Sequence, residues 1–168
     1  MSHGTQTPAT ADEARQLNAS LDRELLAATA AVTPDILHRC PEPGEWSPAE
    51  LLAHLGEFPR FFAAELRRWR ADPDAVIGRT HDHPARLAAV ANPAEQLQGA
   101  LTAIGDAFAD LDDALAALAD TDLTAATSNV KYGAEPLTAF LDRYLLGHKA
   151  SHLDQLRRAV AALAGDRA

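Results

Sequence analysis

His148 and His152 stand four residues apart in Gly147-His148-Lys149-Ala150-Ser151-His152. On an α-helix that spacing is a rise of about 6 Å and a turn of about 40°, so both rings point the same way. Such a pair can hold one metal ion at ~2.0–2.1 Å from each nitrogen. Both histidines fall in an apolar stripe, Leu137, Leu141, Tyr144, His148, His152, Leu156 and Val160, expected to face a core. An imidazole there needs a partner, because an unsatisfied buried polar group costs ~1–3 kcal/mol. One metal ion would satisfy both rings. His54 is the third candidate: it lies three residues after Leu51 and four before Phe58, at the edge of a second stripe, and could meet the pair across a bundle. Three neutral histidines and an open position describe a catalytic metal site, not a closed structural one. Spacing alone leaves another reading open, in which these are hydrogen-bonded core histidines and the His-x-x-x-His pair is chance. The remaining histidines are weaker candidates: His3 in an N-terminal tail, His38 in a loop or frayed helix end, His81 and His83 in a solvated loop.

Other chemistries fail on residue type. A zincin needs His-Glu-x-x-His, and here the second position is Lys149. A di-iron bundle needs Glu-x-x-His motifs on two helices, and the segment around His148 has none. There is no glycine-rich phosphate loop. The single cysteine, Cys40, excludes a disulfide framework and lacks a neighbouring base.

The elements that must position the histidines follow from periodicity. A first helix is expected from about Thr10 to Val32, with Leu17, Leu21, Leu25, Ala28 and Val32 on one face. A second starts at Ser47-Pro48-Ala49-Glu50, a capping box with proline at the first helical position. Pro59 inside it should remove one backbone bond and bend it near Leu55. A third is expected to start the same way at Asn92-Pro93-Ala94-Glu95. Its stripe of Leu97, Leu101, Ile104, Phe108, Leu111, Leu115 and Leu118 is a heptad seam suited to bundle packing. The fourth, from about Pro136 to Leu163, carries the histidine pair. The connections, about 33–46, 72–92 and 120–135, exceed the usual length for a helical bundle. Val130-Lys131-Tyr132-Gly133 reads as a short strand or turn. The expectation is an all-α single four-helix bundle over residues 11–164, behind a disordered tail over residues 1–10.

Composition agrees. The 168 residues include 37 Ala and 23 Leu but only 5% aromatics, a mixture that favours helices. The net charge of −9 argues against a nucleic-acid partner, and no apolar run is long enough to span a membrane. The polar N-terminus lacks a secretory pattern, so the chain reads as cytoplasmic.

Two motifs carry a resemblance. Gly44-Glu45-Trp46-Ser47-Pro48-Ala49-Glu50-Leu51-Leu52-Ala53-His54-Leu55 is similar to the second-helix signature of the DinB/YfiT-like superfamily. His148-Lys149-Ala150-Ser151-His152-Leu153-Asp154-Gln155-Leu156 is similar to its last-helix His-x-x-x-His-x-x-Gln signature. The resemblance covers about Leu17 to Arg158. It implies a four-helix bundle, often connected up-down-down-up, and a divalent metal (zinc, nickel or iron) on His54, His148 and His152. The family it points to includes mycothiol-dependent maleylpyruvate isomerase and bacillithiol S-transferases.

The function expected first is therefore a metal-dependent transferase using a low-molecular-weight thiol, mycothiol being one candidate. The alternatives are a hydrolase that uses water at the same metal, and a non-catalytic metal-binding or interaction bundle. Gln155 could steady His152 or be a surface glutamine. Glu57, one turn from His54, is a candidate base or acceptor to that ring. Tyr144 could line a pocket or fill the core. Phe58, Phe61, Phe62 and Trp69 could extend into a homodimer interface or simply pack inside.

Overall fold

The computed structural model describes residues 7–165. In chain order the elements are α1 (Ala11–Thr29), α2 (Pro48–Ala71), β1 (Val76–Ile77), α3 (Pro84–Ala91) and α4 (Leu97–Ala116). A 3-10 turn (Asp120–Thr124), β2 (Ala126–Asn129) and β3 (Gly133–Pro136) follow. The last long helix is compound: α5 (Leu137–Leu141), a π-helical turn (Asp142–Leu146) and α6 (Gly147–Gly165). α1, α2, α4 and this compound helix form a four-helix bundle, as expected. Among the described residues, no helix is long and apolar enough to cross a membrane.

Local chemistry sets the helix starts. Thr10 accepts a hydrogen bond from the Glu13 backbone N–H at 3.1 Å and begins α1. Of the expected tail, residues 1–6 and with them His3 lie outside the described residues, while Pro8 is buried and the Ala9 N–H donates to Glu13. Ser47 and Glu50 form the anticipated capping box, and Pro48 opens α2. Pro59 sits within α2, which continues unbroken to Ala71. α1 stops at Thr29 rather than Val32, though Val32 still packs in the core.

The third start signal is a correction. Asn92 does not open α4; it closes α3, with its side-chain amide donating to the Ala88 carbonyl at 2.8 Å. α4 begins at Leu97 without a side-chain cap. Its seam survives: Ile104, Phe108, Leu111, Leu115 and Leu118 are buried, while Leu97 and Leu101 are half-buried.

The all-α bundle stands, and two of its long connections add a small three-stranded sheet to it. β1 pairs in parallel with β2, Val76 opposite Ser128. β2 pairs antiparallel with β3, Ala126 opposite Pro136. The Val130–Tyr132 segment is the turn between β2 and β3. Arg68 at the end of α2 donates to the Val76 carbonyl at 2.7 Å and ties the sheet to the bundle. The core is continuous through Leu25, Leu52, Phe58, Leu66, Leu111 and Phe140. Burying each such side chain contributes roughly 1.5–3 kcal/mol.

One charged group sits inside this core. Lys149 is fully buried and donates to Asn18 Oδ1 at 2.6 Å and to Asp22 Oδ1, joining α6 to α1. Its ammonium lies 4.2 Å above the Phe108 ring, a cation–π contact. Burial pushes Lys149 down to about 8 and pushes Asp22 up, each opposed by the attraction of the other.

Candidate metal centre

The three histidines meet. His54 Nε2 lies 3.0 Å from His148 Nε2, and His152 Nε2 lies 3.1 Å from the same atom. α2 supplies His54 and α6 supplies the pair. The π-helical turn just before the pair sets its register. In that turn the Gly147 N–H donates to the Asp142 carbonyl, five residues back. A Cβ on Gly147 would sit 2.8 Å from that oxygen, so the turn requires glycine there. Such turns are rare in helices and cluster at functional sites.

Apolar rings wall the cluster. Phe58 meets His148 edge-on at 4.7 Å, and Trp46 stacks nearly parallel to His152 at 6.1 Å. Burial pushes all three imidazoles below their ordinary range. His148 falls to about 2, with the neighbouring imidazoles adding to the effect, and His152 to about 4. His54 is lowered by burial, with Glu57 opposing the shift. All three are therefore neutral near pH 7, the form that binds a metal.

The His152 tautomer agrees with that use. His152 Nδ1 lies 3.0 Å from Gln155 Oε1, an acceptor, so Nδ1 carries the proton and Nε2 presents its lone pair inward. His54 Nδ1 is buried without a hydrogen-bond partner, and Glu57 Oε2 is the nearest carboxylate oxygen at 3.6 Å. Were both inner nitrogens lone pairs, His148 would have at most one proton to share between them. A divalent cation resolves that shortage. Two nitrogens at ~2.0–2.1 Å from one ion stand ~2.8–3.4 Å apart for right-angle to tetrahedral geometry, which the two spacings to His148 match. His54, His148 and His152 thus fit a divalent metal.

Glu57 is committed elsewhere. Arg79 grips it with both terminal nitrogens, at 2.5 and 2.7 Å. Burial opposes its ionisation, but the bonds from Arg79 and the proximity of His54 outweigh this and hold it at about 2. Glu57 is thus a permanent carboxylate, an acceptor beside His54 and a poor base at neutral pH. Tyr144 both lines the cleft and packs in the core: it touches Phe62 and Phe140 rings at 4.9 Å, and its hydroxyl donates to Asn129 Oδ1 at 3.2 Å. His38 contacts the Glu95 carbonyl at 3.1 Å, and His83 caps α3 at the Ala85 N–H; neither joins the cluster. His81 lines the outer cleft but stands apart from the three inner nitrogens.

Arg79 and Trp46 are site residues that helical periodicity does not single out. Trp46 precedes the Ser47 cap, so the capping box that starts α2 also places the indole on the histidines. Gly78, at φ +92°, turns the chain after β1, and Arg79 then reaches back to α2. No helical period marks either position.

Fold and site together define a four-helix bundle with three inward histidines, from two of its helices, that could hold a divalent metal. Residues 10–156 match the model of the DinB superfamily, and the chain belongs to that family. Solved structures agree on the fold. TT2238, described as a four-helix bundle protein, is 25% identical with a TM-score of 0.63, over 89% of this chain and 99% of that one. YfiT from Bacillus subtilis, described as a probable metal-dependent hydrolase with an unusual four-helix bundle topology, is 14% identical with a TM-score of 0.65, over 94% and 91%. A point mutant of the mycothiol-dependent maleylpyruvate isomerase is 15% identical with a TM-score of 0.62, over 83% of this chain and 59% of that one. No curated protein matches the chain.

Proposed function

We propose that the protein is a metal-dependent transferase that uses a low-molecular-weight thiol, with His54, His148 and His152 as the ligands. The observation that carries this reading is the convergence of three neutral Nε2 atoms at the end of an open cleft. When bound, a divalent ion on three neutral imidazoles supplies Lewis acidity at an open position, lowering the pKa of a thiol or a water there.

The chain's own residues do the rest. Gln155 holds the His152 tautomer, and Glu57, steadied by Arg79, favours the proton on His54 Nδ1. Trp46 and Phe58 keep bulk water from the imidazoles. Tyr144 forms one side of the cleft in which the electrophile lies. In the transfer the thiol proton leaves to solvent and the sulfur lone pair forms the new C–S bond. The displaced electron pair departs with the leaving group. The thiol-dependent relative supports this choice, and mycothiol is the thiol it names.

Water in place of thiol gives a hydrolase, a reading supported by the description of YfiT. The two separate on one assay. Untagged protein is analysed for metal beside His148→Ala and His152→Ala. The loaded protein is then given an activated aryl chloride with and without mycothiol or bacillithiol. Stoichiometric metal lost in both variants, with chloride release that requires thiol, supports the transferase. Release indifferent to thiol rejects it in favour of water, and a wild type that takes up no metal rejects both.

A further inference from the structure

The cleft that ends on His54 and His148 has a volume of about 110 Å3, and its charged lining is entirely cationic: Arg79, Arg86, Lys131 and Arg143. Among the described residues no carboxylate lines it. The chain as a whole has 24 acids against 15 bases, so the mouth of the site inverts the sign of the molecule.

Two of the four cations are neutralised from behind. Arg79 grips Glu57, and Arg143 donates to Glu135. The other two are not. Arg86, on α3, donates to the His81 backbone carbonyl at 2.8 Å and lies 5.0 Å over the Trp46 ring. Lys131, in the β2–β3 turn, has its ammonium 5.1 Å over the Tyr132 ring. Among the described residues neither meets a carboxylate. A carbonyl and two rings leave both charges whole, and the neutral imidazoles add no anion.

The turn that carries Lys131 is built rather than loose. Asn129, almost wholly buried, accepts from the Lys131 and Tyr132 backbone N–H groups at 2.8 and 3.2 Å and from the Tyr144 hydroxyl. Its amide donates to Glu135 at 2.7 Å. Gly78 closes on the same side chain, where a Cβ would stand 3.4 Å from Asn129 Nδ2. Asn129 Oδ1 thus holds the Lys131–Tyr132 turn at the mouth, and its amide ties that turn to β3 through Glu135.

We infer that this mouth binds an oxyanion group of the substrate, a carboxylate or a phosphate, with Arg86 and Lys131 as its charge partners and Tyr132 and Tyr144 walling its carbon frame. The substrate class is therefore a small anionic molecule rather than a neutral electrophile. A guanidinium and an ammonium on opposite elements suit this: the first can bind two oxygens as a fork and the second acts as a point charge. The inference rests on the proposed function only in placing the anion beside the reacting centre.

The test is calorimetric titration of zinc-loaded and chelator-treated full-length protein with succinate, inorganic phosphate and, as the neutral control, succinamide. The expected result is binding of at least one anion to both forms, weakened by added sodium chloride and absent for succinamide. The tighter anion identifies the group. Arg86→Gln/Lys131→Gln should weaken binding at least tenfold while zinc stoichiometry stays at the wild-type value. Lys131→Gln alone, at an exposed turn position, should weaken it in the same direction and guards against a misfolded double variant. Wild-type affinity in both variants, equal binding of succinamide, or no anion binding by either form at millimolar concentration would overturn the inference. Its failure is distinct from that of the metal reading. Zinc on the histidines without anion binding sinks only the oxyanion site, and anion binding to a protein that takes up no zinc sinks only the metal.

Discussion

Three neutral imidazoles inside a bundle make the metal-free protein acid-sensitive, and the size of that sensitivity can be worked out. In the unfolded chain each histidine titrates near 6.5; in the folded chain His148 sits at about 2 and His152 at about 4, for reasons of burial first. A basic group whose folded pKa lies below its unfolded value binds fewer protons when folded. Its stabilising contribution is complete above the unfolded pKa and is lost as pH falls through 6.5 toward the folded value. Between pH 7 and pH 5 this amounts to about 2 kcal/mol for each of His148 and His152, or about 4 kcal/mol for the pair. His54 adds in the same direction. For a domain of this size about 4 kcal/mol is a fall in Tm of roughly 8–16 °C. The assay is thermal unfolding of chelator-treated protein at pH 7, 6 and 5, beside the zinc-loaded protein and His148→Leu/His152→Leu. The chelated wild type should show the fall. The loaded protein should resist it until protons displace the metal, because binding to the native state adds stability. The double variant, lacking two of the titrating groups, should show a smaller slope. A chelated wild type as stable at pH 5 as at pH 7, or a double variant with the wild-type slope, would refute the buried neutral cluster.

Three further outcomes follow from single contacts. Gln155→Leu removes the acceptor of the His152 Nδ1 proton and should lower metal affinity about 10- to 100-fold, measured by competition with a chromogenic chelator. Gly147→Ala drives a Cβ toward the Asp142 carbonyl; it should destabilise the fold by about 1–3 kcal/mol in urea unfolding and weaken metal binding as the pair loses register. Lys149→Met strands Asp22 without its buried partner and should cost about 3–5 kcal/mol, whereas Lys149→Met/Asp22→Leu should recover most of that loss.

The bundle and its histidines were accessible from sequence because helical period reports which residues share a face. Leu51, Leu55, Phe58 and Phe62 fall on one stripe and all are buried; His148 and His152 fall on another and meet His54. The same logic fails where period is too short to register. β1 has two residues, and α3 has eight, none of them buried. The Asn92-Pro93-Ala94-Glu95 signal misled because asparagine ends helices as readily as it starts them, and here its amide went back to Ala88. The Lys149 network was missed for a different reason. A lysine beside a stripe ordinarily reaches solvent, and only the polar pair Asn18 and Asp22, four apart on α1, hinted at a buried partner.

The division between what period shows and what it hides is also a division of labour in the site. The imidazoles come from α2 and α6, rigid elements whose packing holds the His54 and His152 nitrogens 3.0 and 3.1 Å from that of His148. Three of the four charges around them come from the insertions, Arg79 after β1, Arg86 on α3 and Lys131 between β2 and β3; the fourth, Arg143, stands on the π-helical turn. Asn129 and Gly78 join these insertions into one small sheet, and Arg79 joins the sheet to Glu57 and so to His54. A change in the insertions can therefore alter which molecule enters without moving the nitrogens, since no insertion residue supplies one of the three imidazoles. That independence has a measurable form. Substituting Lys131 should change anion binding and leave zinc stoichiometry alone, while substituting Arg79 should disturb both, because its guanidinium alone belongs to the mouth and to the shell around His54.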